Sequence, residues 1–224
     1  MFEDRQFELI LFDLEGTLVD FQWHLKDAAT KLLQVLFNAG IDPARYGESP
    51  GYAGLYNTTR DITGDWDIQE AEQLFGQLAM IYDFYDLDAL SRWTPYPDVR
   101  PVLEKLSACK YRMGVVSNCG YYAAETVLER FDLAGYFELV VSRNDVLYLK
   151  PFPDGLNLAI EKLCMPADKT LFVGDSINDI LAANKVPVTS CFLSGGESRV
   201  TGEDSLTADF RISSFSGLAD ILVH

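Results

Sequence analysis

The sequence has 224 residues, of which 34 are Asp or Glu and 18 are Lys or Arg, so its formal net charge at pH 7 is −16. A surface this acidic repels phosphate backbones and anionic lipids, which makes nucleic acids and membranes unsuitable partners. Hydrophobic residues nevertheless make up 48% of the chain and aromatic residues 12%. That apolar content is enough to form a folded core, so we exclude an intrinsically disordered chain.

Two further classes lack their sequence signals. No apolar run approaches the roughly 20 residues that a membrane helix needs, and the first residues lack a basic segment followed by a leader-length apolar stretch. The 4 cysteines form no close pair and the chain has 2 histidines, so neither a zinc site nor a disulfide framework is expected. We therefore predict a cytoplasmic protein, either a monomer or a homodimer.

Short apolar runs that end in polar residues recur four times along the chain. The first covers residues 8–12 and stops at Asp13, and Gly16 then allows a turn. The other three are residues 112–116 before Ser117-Asn118, residues 137–141 before Ser142-Arg143, and residues 170–173 before Gly174-Asp175. Each pattern predicts a buried strand followed by a polar loop.

Helical patterns lie between these strands. Apolar residues recur at helical spacing in residues 98–107, 121–131 and 154–163. Strands that alternate with helices predict a doubly wound α/β fold, in which a parallel sheet is covered on both faces and the ligand site lies beyond the carboxyl ends of the strands. The remaining predicted elements are two strands, residues 189–193 and 209–212, and a closing helix, residues 215–222.

A helical segment interrupts this alternation directly after the first strand. Residues 24–37 carry an apolar face at helical spacing, and a second helix begins at Asp67, with Glu70 three residues on as in a capping box. Between them, residues 51–60 are interpreted as a glycine-bearing loop. We therefore predict two domains: an α/β core of residues 1–20 and 94–224, and a helical insert of residues 21–93.

Polar motifs stand at the predicted strand ends. In chain order they are Asp13-x-Glu15-Gly16-Thr17, Ser117-Asn118, Lys150-Pro151 and Gly174-Asp175-Ser176-x-x-Asp179. Each string is common by itself, but the four occur in this order over nearly the whole chain. Together they resemble the motifs of the haloacid dehalogenase-like (HAD) superfamily, and the helical insert resembles its small C1 cap. The resemblance implies a Rossmann-like core and a phosphatase similar to the C1-capped, phosphoglycolate phosphatase-like subgroup.

The resemblance gives these motif residues roles. Asp13 is the nucleophile that attacks phosphorus and becomes an aspartyl phosphate, which water then cleaves. The cofactor is Mg²⁺, and its ligands are Asp13, the backbone carbonyl of Glu15, Asp175 and, through water, Asp179. A cation also answers a physical need, since these carboxylates would repel one another strongly if they came together without one.

The second and third motifs, Ser117-Asn118 and Lys150-Pro151, are expected to bind the phosphate. The resemblance implies that Ser117 donates its hydroxyl and Asn118 a backbone or side-chain N–H. Lys150 supplies a fixed positive charge that also keeps Asp13 ionised. Two alternatives stay open: Ser117-Asn118 caps the following helix, or Lys150 is a surface lysine before a proline turn.

Glu15 departs from the pattern of the superfamily, whose phosphatases usually have Asp at this position as general acid and base. Glutamate keeps the acid–base chemistry but moves the carboxyl group by roughly one C–C bond, and catalysis is sensitive to displacements on the order of 1 Å. The Asp-x-Glu-Gly-Thr string is also similar to that of the enolase-phosphatase branch. Glu15 therefore favours a phosphatase over the dehalogenase and phosphonate-hydrolysing branches, which have no carboxylate there.

Substrate recognition is expected from the helical insert. Arg60 and Arg143 are both candidates for binding a carboxylate or second anionic group of the substrate. For each of them, the alternative is a solvated surface arginine. The expected partner is a small phosphorylated metabolite, phosphoglycolate-like or a sugar phosphate. Two other functions stay open: a binding or regulatory protein of this fold whose catalysis is weak because of Glu15, and phosphoryl transfer of the phosphoglucomutase type.

Overall fold

The computed structural model describes residues 7–48, 50–194 and 207–222. Within these residues one six-stranded parallel sheet has the order β3-β2-β1-β4-β5-β6. Its strands are β1 (Leu9–Phe12), β2 (Arg112–Val116), β3 (Leu139–Val141), β4 (Thr170–Gly174), β5 (Thr189–Leu193) and β6 (Phe210–Ile212). The predicted α/β fold with a parallel sheet is confirmed.

Helices cover the sheet and form the segment between β1 and β2. They are α1 (Leu25–Asn38), α2 (Tyr52–Ile62), α3 (Ile68–Leu90), α4 (Val99–Ala108), α5 (Tyr121–Arg130), α6 (Asp154–Leu163), α7 (Ile177–Ala183) and α8 (Ser216–Leu222). No helix in the described part of the chain is both long enough and apolar enough to cross a membrane.

The central strand β1 is buried on both faces. Ile10 and Phe12 belong to the apolar cluster that α4, α5 and α8 cover, whereas Leu9 and Leu11 belong to the cluster under α6 and α7. Successive side chains of a strand point to opposite faces, so a strand covered on both sides needs four consecutive apolar residues here. The sheet is therefore doubly wound, and the residue that follows β1 lies at the middle of its carboxyl edge.

The segment interpreted as a glycine-bearing loop, residues 51–60, is a helix, so that prediction was wrong. Gly51 immediately precedes α2 and Gly54 lies in its first turn, which gave the segment the composition of a loop. Ala53, Tyr56 and Thr59 are buried at helical spacing, and this packing outweighs the low helix propensity of glycine. Helix α7 has no counterpart in the sequence prediction.

The helical insert packs around a group of aromatic rings. The Tyr52 ring centroid lies 4.5 Å from that of Trp23 and 4.6 Å from that of Tyr82. Trp23 and Tyr82 belong to the same apolar cluster as Ile10 and Phe12 of β1, and Tyr52 packs against it, so the insert and the core share a buried interior. The domain boundaries at residues 20/21 and 93/94 stay a prediction.

Candidate active site

Asp13 stands directly after β1. Its backbone N–H donates to the Val173 carbonyl at 2.8 Å, which fixes the residue to the neighbouring strand β4. Its side chain is buried and accepts a hydrogen bond from Lys150 Nζ. The predicted nucleophile is therefore held between strands, beside a cation.

Lys150 is buried, and its ammonium group donates to three oxygen atoms. Nζ contacts Asp13, Asp179 Oδ1 at 2.6 Å and the Val116 carbonyl at 3.0 Å. The Asn118 amide holds the Lys150 backbone, because Oδ1 accepts from its N–H at 2.9 Å and Nδ2 donates to its carbonyl at 3.2 Å. Burial alone lowers the pKa of Lys150, but the two carboxylates outweigh burial and raise it. Lys150 therefore stays charged, and the alternative of a surface lysine is wrong.

Asp175 and Asp179 follow β4 and bring two more buried carboxylates to Asp13. One oxygen from each of the three side chains lies within 4.8 Å of the others. The Ser176 N–H donates to Asp179 Oδ2 at 3.0 Å, and the Asp179 N–H donates to Ser176 Oγ at 3.3 Å. This capping box at the start of α7 fixes the orientation of the Asp179 side chain.

The charge of this cluster fits a divalent cation. Three carboxylates against one ammonium leave an excess of negative charge in a buried space. Burial raises the pKa of Asp13 to about 8; Lys150 opposes the rise, while Asp179 and Asp175 add to it. Contrary to the sequence prediction, Lys150 alone therefore does not keep Asp13 ionised near neutral pH, and a bound cation would lower this pKa. Carboxylate and carbonyl oxygens are the ligands that Mg²⁺, Ca²⁺ and Mn²⁺ prefer. The donor set therefore agrees with the metal that the family resemblance implies.

The turn after Asp13 depends on Gly16. Its φ of +87° is a left-handed conformation that side-chain-bearing residues rarely adopt. Its N–H donates to the Val19 carbonyl at 2.6 Å, which closes the turn. A Cβ atom at this position would lie 2.3 Å from Asp175 Oδ2, so glycine is what allows Asp175 to approach the turn.

Glu15 lies in the same turn and lines the cavity described below. Its Oε1 atom is buried and has no hydrogen-bond partner within the described part of the chain. Burial raises the pKa of Glu15 well above its usual value, and the Asp86 and Asp13 carboxylates add to the rise. A carboxyl group that remains protonated can donate a proton to a leaving group, which is the role predicted for Glu15.

Ser117 and Asn118 follow β2 and stand next to Lys150 in space. Ser117 is buried, and its Oγ accepts from the Cys119 N–H at 3.1 Å. Helix α5 begins three residues later, with Gly120 as its N-cap residue and no side-chain cap, so the helix-capping alternative is wrong. The side-chain amide of Asn118 is already bound to the Lys150 backbone. Of the two N–H groups of Asn118 predicted to bind phosphate, the backbone N–H is therefore the better candidate.

A cavity of ≈ 620 Å³ lies over the carboxylate cluster, a size typical of small-molecule sites. Six predicted site residues line it, whereas Ser117 and Arg60 do not. Its lining residues from the core are Asp13, Glu15, Asn118, Lys150, Asp175, Ser176, Asn178 and Asp179, and those from the helical insert are Phe21, Leu25, Gly51, Tyr52, Ala53 and Gly54. The cavity therefore lies between the sheet edge and the insert.

Arg60 packs inside the helical insert. Its guanidinium carbon lies 3.5 Å from the centroid of the Phe75 ring, and its NH2 group donates to the Tyr56 hydroxyl at 3.0 Å. A guanidinium stacked on an aromatic face is held by cation–π attraction and packing. Arg60 therefore does not line the cavity, and the structure does not place it where it could bind the substrate.

Arg143 is buried and binds the helical insert, so the alternative of a solvated arginine is wrong. Its NH1 group donates to Asp86 Oδ2 at 2.8 Å and to the Tyr52 hydroxyl, and its NH2 group contacts Asp83. Asp86 also accepts from Trp23 Nε1 at 2.9 Å. Helix α3 is thus tied to the loop after β3 by a buried ion pair.

The sequence analysis missed Asp86. The signal available was an aspartate on the buried face of α3, next to Tyr82, Tyr85 and Ala89 in the helical repeat. A buried carboxylate needs a charged or hydrogen-bonding partner. Nothing in the sequence indicated that the partner is Arg143, 57 residues further along the chain.

Comparison with known families agrees with this geometry. A family model described as haloacid dehalogenase-like hydrolase matches residues 10–193, from β1 to the end of β5. The chain therefore belongs to the haloacid dehalogenase-like hydrolases. The family and the enzyme class predicted from the four motifs, a phosphoric monoester hydrolase of this superfamily, are confirmed.

Relatives from three bacteria are similar over most of their length. The phosphoglycolate phosphatase of Neisseria gonorrhoeae is 32% identical over 209 residues, which cover 92% of this chain and 88% of the relative. That of Vibrio parahaemolyticus is 29% identical over 221 residues and covers 97% of both chains. A crystal structure from Haemophilus somnus, described as a predicted phosphoglycolate phosphatase, is 25% identical with a TM-score of 0.65, covering 96% of this chain and 98% of that one.

Proposed function

We propose that this chain hydrolyses a small phosphomonoester in a Mg²⁺-dependent reaction that passes through a phosphorylated Asp13. The observation that carries the proposal is the position of Lys150 Nζ, which contacts both Asp13 and Asp179 at the cavity. A phosphoryl dianion that enters beside Asp13 meets a cation there, which offsets the repulsion between the two anions. Membership of the family and the names of the relatives support the same chemistry.

In the first step, a carboxylate oxygen of Asp13 attacks phosphorus, and the bond from phosphorus to the alcohol oxygen breaks. The alcohol oxygen takes the proton of the Glu15 carboxyl group, so the alcohol leaves uncharged at that oxygen. Glu15 suits this role because it lines the same cavity as Asp13 and because burial raises its pKa.

In the second step, the Glu15 carboxylate takes a proton from a water molecule as the water oxygen attacks phosphorus. The bond from phosphorus to the Asp13 oxygen breaks, inorganic phosphate leaves, and the Asp13 carboxylate is restored. Glu15 ends the cycle protonated and ready for the next substrate. Lys150 stabilises the Asp13 carboxylate each time it is released, since the two groups are in direct contact.

The residues that would hold Mg²⁺ are Asp13, Asp175, the backbone carbonyl of Glu15 and, through water, Asp179. When bound, the ion supplies positive charge that neutralises the phosphoryl group and orients it toward the attacking carboxylate. The Asn118 N–H and the Lys150 ammonium, whose residues line the cavity, would bind phosphoryl oxygens. For the Ser117 hydroxyl, which does not line the cavity, phosphate binding stays a prediction from the family resemblance.

In this proposal the helical insert, residues 21–93, acts as a cap over the reaction. Phe21, Leu25 and Tyr52 line the cavity from the insert, whereas the carboxylates line it from the core. Apolar walls exclude bulk water, which strengthens the charge interactions inside the cavity. The names of the relatives make phosphoglycolate one candidate substrate, and a sugar phosphate is the other.

Asp13→Asn tests the proposal, because the change is nearly isosteric and removes the nucleophile. We expect turnover of p-nitrophenyl phosphate with Mg²⁺ to fall at least about 1000-fold, while the far-ultraviolet circular dichroism spectrum stays that of the parent. The matched control is Asp168→Asn, an exposed aspartate outside the cavity, which should keep the parental rate.

The phosphorylated intermediate has its own readout. Parent protein quenched with acid during turnover of a radiolabelled ester should carry a label that hydroxylamine removes, as an acyl phosphate does, and Asp13→Asn should carry none. An Asp13→Asn protein that keeps most of its turnover, or a parent that hydrolyses no phosphomonoester, would overturn the proposal.

A further inference from the structure

Asn118 is held both by its side chain and by its carbonyl. The side-chain amide binds the two backbone groups of Lys150, and the carbonyl accepts a hydrogen bond from the Tyr52 hydroxyl at 2.9 Å. The next N–H along the chain, that of Cys119, donates to Ser117 Oγ at 3.1 Å. These bonds restrict the rotation of Asn118. They therefore set the direction of its own N–H, which the proposed function assigns to a phosphoryl oxygen.

The bond from Tyr52 is the part of this arrangement that comes from the helical insert. Tyr52 is the first residue of α2 and lies 66 positions before Asn118 in the chain. The bonds from Lys150, in contrast, stay within the core. The insert therefore contributes to the phosphoryl end of the site through a single hydroxyl group.

Arg143 determines where the Tyr52 hydroxyl points its proton. A guanidinium donates hydrogen bonds and accepts none, so the Tyr52 oxygen accepts from Arg143 and directs its own proton to the Asn118 carbonyl. Asp86 holds the same guanidinium through a contact of 2.8 Å, and the Arg143 backbone N–H donates to the Cys119 carbonyl at 2.9 Å. Arg143 thus binds both the hydroxyl and the loop that the hydroxyl holds.

The ring of Tyr52 is fixed as well. Its centroid lies 4.5 Å from that of Trp23 and 4.6 Å from that of Tyr82, and the Tyr82 hydroxyl donates to the Tyr52 carbonyl at 3.2 Å. A hydroxyl on a ring that is already fixed loses little conformational entropy when it forms a bond. Such a group is well suited to hold another residue in place.

From these contacts we propose that Tyr52 is a positioning residue: its hydroxyl orients Asn118, so the site binds phosphate at full strength only while the insert is seated on the core. The inference rests on the part of the proposed function that makes the Asn118 N–H a phosphate donor. It adds that the insert controls the affinity for phosphate as well as enclosing the cavity. In this role Tyr52 acts through Asn118 and not by touching the phosphate.

Tyr52→Phe tests the inference in the full chain, because it removes the hydroxyl and keeps the ring. We expect the dissociation constant of inorganic phosphate, measured by isothermal titration calorimetry in saturating Mg²⁺, to rise at least about fivefold, as is typical for the loss of one buried hydrogen bond. The kcat/KM for p-nitrophenyl phosphate should fall by a similar factor.

The affinity for Mg²⁺ distinguishes positioning from a general loosening of the fold. The carboxylates of the metal cluster, Asp13, Asp175 and Asp179, follow β1 and β4, whereas Asn118 follows β2. In Tyr52→Phe the dissociation constant of Mg²⁺, measured without phosphate, should therefore stay within about twofold of the parental value. A loosened fold would weaken the binding of both ions.

Tyr46→Phe is the matched control. The Tyr46 side chain is also buried in the insert, and its hydroxyl forms a hydrogen bond with Thr59 Oγ1 at 2.8 Å, within the insert. This change removes a buried tyrosine hydroxyl that does not bind Asn118. Both dissociation constants should stay within about twofold of the parental values, and far-ultraviolet circular dichroism should show that each variant is folded.

The outcomes separate the two proposals. The inference is overturned if Tyr52→Phe binds phosphate as tightly as the parent, if its affinities for phosphate and Mg²⁺ fall together, or if Tyr46→Phe weakens phosphate binding equally. In those cases the proposed function stands when the parent hydrolyses phosphomonoesters. If the parent binds phosphate but hydrolyses no ester, the proposed function fails and the phosphate affinities still decide the inference. If the parent binds no phosphate in Mg²⁺, the role of Asn118 is wrong and the inference fails.

Discussion

Glu15 is the residue at which this chain departs from the usual phosphatase pattern of its superfamily. Its side chain lines the cavity, and its Oε1 atom is buried without a hydrogen-bond partner among the described residues. A buried polar atom without a partner is costly in a folded protein. A substrate oxygen or a water molecule in the cavity would supply that partner, which agrees with a role in proton transfer.

Glu15→Gln keeps the shape of the side chain and removes the transferable proton. We expect kcat for ethyl phosphate to fall at least about 100-fold, because an alkoxide leaves slowly unless it is protonated. The leaving group of p-nitrophenyl phosphate barely needs a proton. For this ester the rate of the first step, measured as the burst of p-nitrophenol, should fall by less than about tenfold. Equal losses for the two esters would show that Glu15 has a structural role instead.

Gly16→Ala should damage the site through Asp175. A Cβ atom at this position would lie 2.3 Å from Asp175 Oδ2, so the carboxylate must move from its place beside the turn. We expect kcat to fall at least about 100-fold and the Mg²⁺ concentration for half-maximal activity to rise, both read from initial rates over a Mg²⁺ titration.

Gly40→Ala is the matched control for this change. Gly40 has nearly the same φ, +85°, but a Cβ atom there meets nothing within 4 Å. Both substitutions cost about 1 kcal/mol of backbone strain, visible in urea unfolding. Gly40→Ala should keep the Mg²⁺ dependence of the parent. If Gly16→Ala also kept it, the close approach of Asp175 to the turn would be irrelevant to metal binding.

Part of this site could be predicted from the sequence, for a physical reason. The carboxyl ends of parallel strands lie at one edge of a sheet, which places Asp13 and Asp175 at the same edge, and the pairing of β1 with β4 brings them close together. The use of the Asn118 amide to hold Lys150 and the stacking of Arg60 on Phe75 could not be predicted. Those partners are chosen by packing between segments far apart in the chain.

Among the secondary-structure elements, α3 has the contacts that hold the insert on the core. Asp86 accepts hydrogen bonds from Arg143 in the loop after β3 and from the Gly120 N–H at the start of α5. Asn57 of α2 adds two more bonds, since its amide pairs with the Leu149 N–H at 2.8 Å and with the Leu149 carbonyl at 2.9 Å. The position of the insert over the cavity thus depends on a few buried polar contacts.

Asp86→Asn should be strongly destabilising. The change leaves the Arg143 guanidinium buried and without its closest buried carboxylate, and breaking a buried ion pair in this way costs about 3 kcal/mol. Urea unfolding of the purified variant measures the loss. We expect the midpoint to fall with little change in the slope of the transition.

Asp83→Asn is the control, because Asp83 contacts the same guanidinium but its side chain is 54% exposed. Its loss should stay below about 1 kcal/mol, since solvent screens an exposed pair. If both variants lost the same amount, burial of Asp86 would not be what gives the contact its strength.

Elements with a regular apolar repeat were predictable, and α2 shows why others were not. Helices α1, α4 and α6 carry long apolar repeats and lie where the sequence predicts them. Helix α2 has two glycines near its start, so local composition favours a loop. Its helical form depends on burial against the rest of the insert, which a single sequence does not reveal.

The whole molecule has a net charge of −16. A bound cation is therefore expected to stabilise the folded state as well as to support catalysis. A ligand that binds only the folded state stabilises it by RT ln(1 + [L]/Kd), about 2.7 kcal/mol at a hundredfold excess over Kd. We expect saturating Mg²⁺ to raise the thermal unfolding midpoint by about 5–10 °C, measured by differential scanning calorimetry.

Two controls separate a site from general screening of the acidic surface. NaCl at the same ionic strength screens surface charge but offers no divalent ion, and it should give less than half of the shift. Asp175→Asn removes one carboxylate of the cluster and should lose most of the response to Mg²⁺. A shift that is the same in NaCl, or unchanged in Asp175→Asn, would contradict binding at this cluster.

The central place of β1 in the sheet has a consequence for biosynthesis. Register pairs Leu9 with Arg112 of β2 on one side and with Thr170 of β4 on the other. A ribosome that adds about 5–20 residues per second therefore completes β1 roughly 8–32 s before β4 exists to pair with it. During that interval the four apolar residues of β1 have an open hydrogen-bonding edge. The strand that positions Asp13 therefore gains its second hydrogen-bonded neighbour only after more than two thirds of the chain has been synthesised.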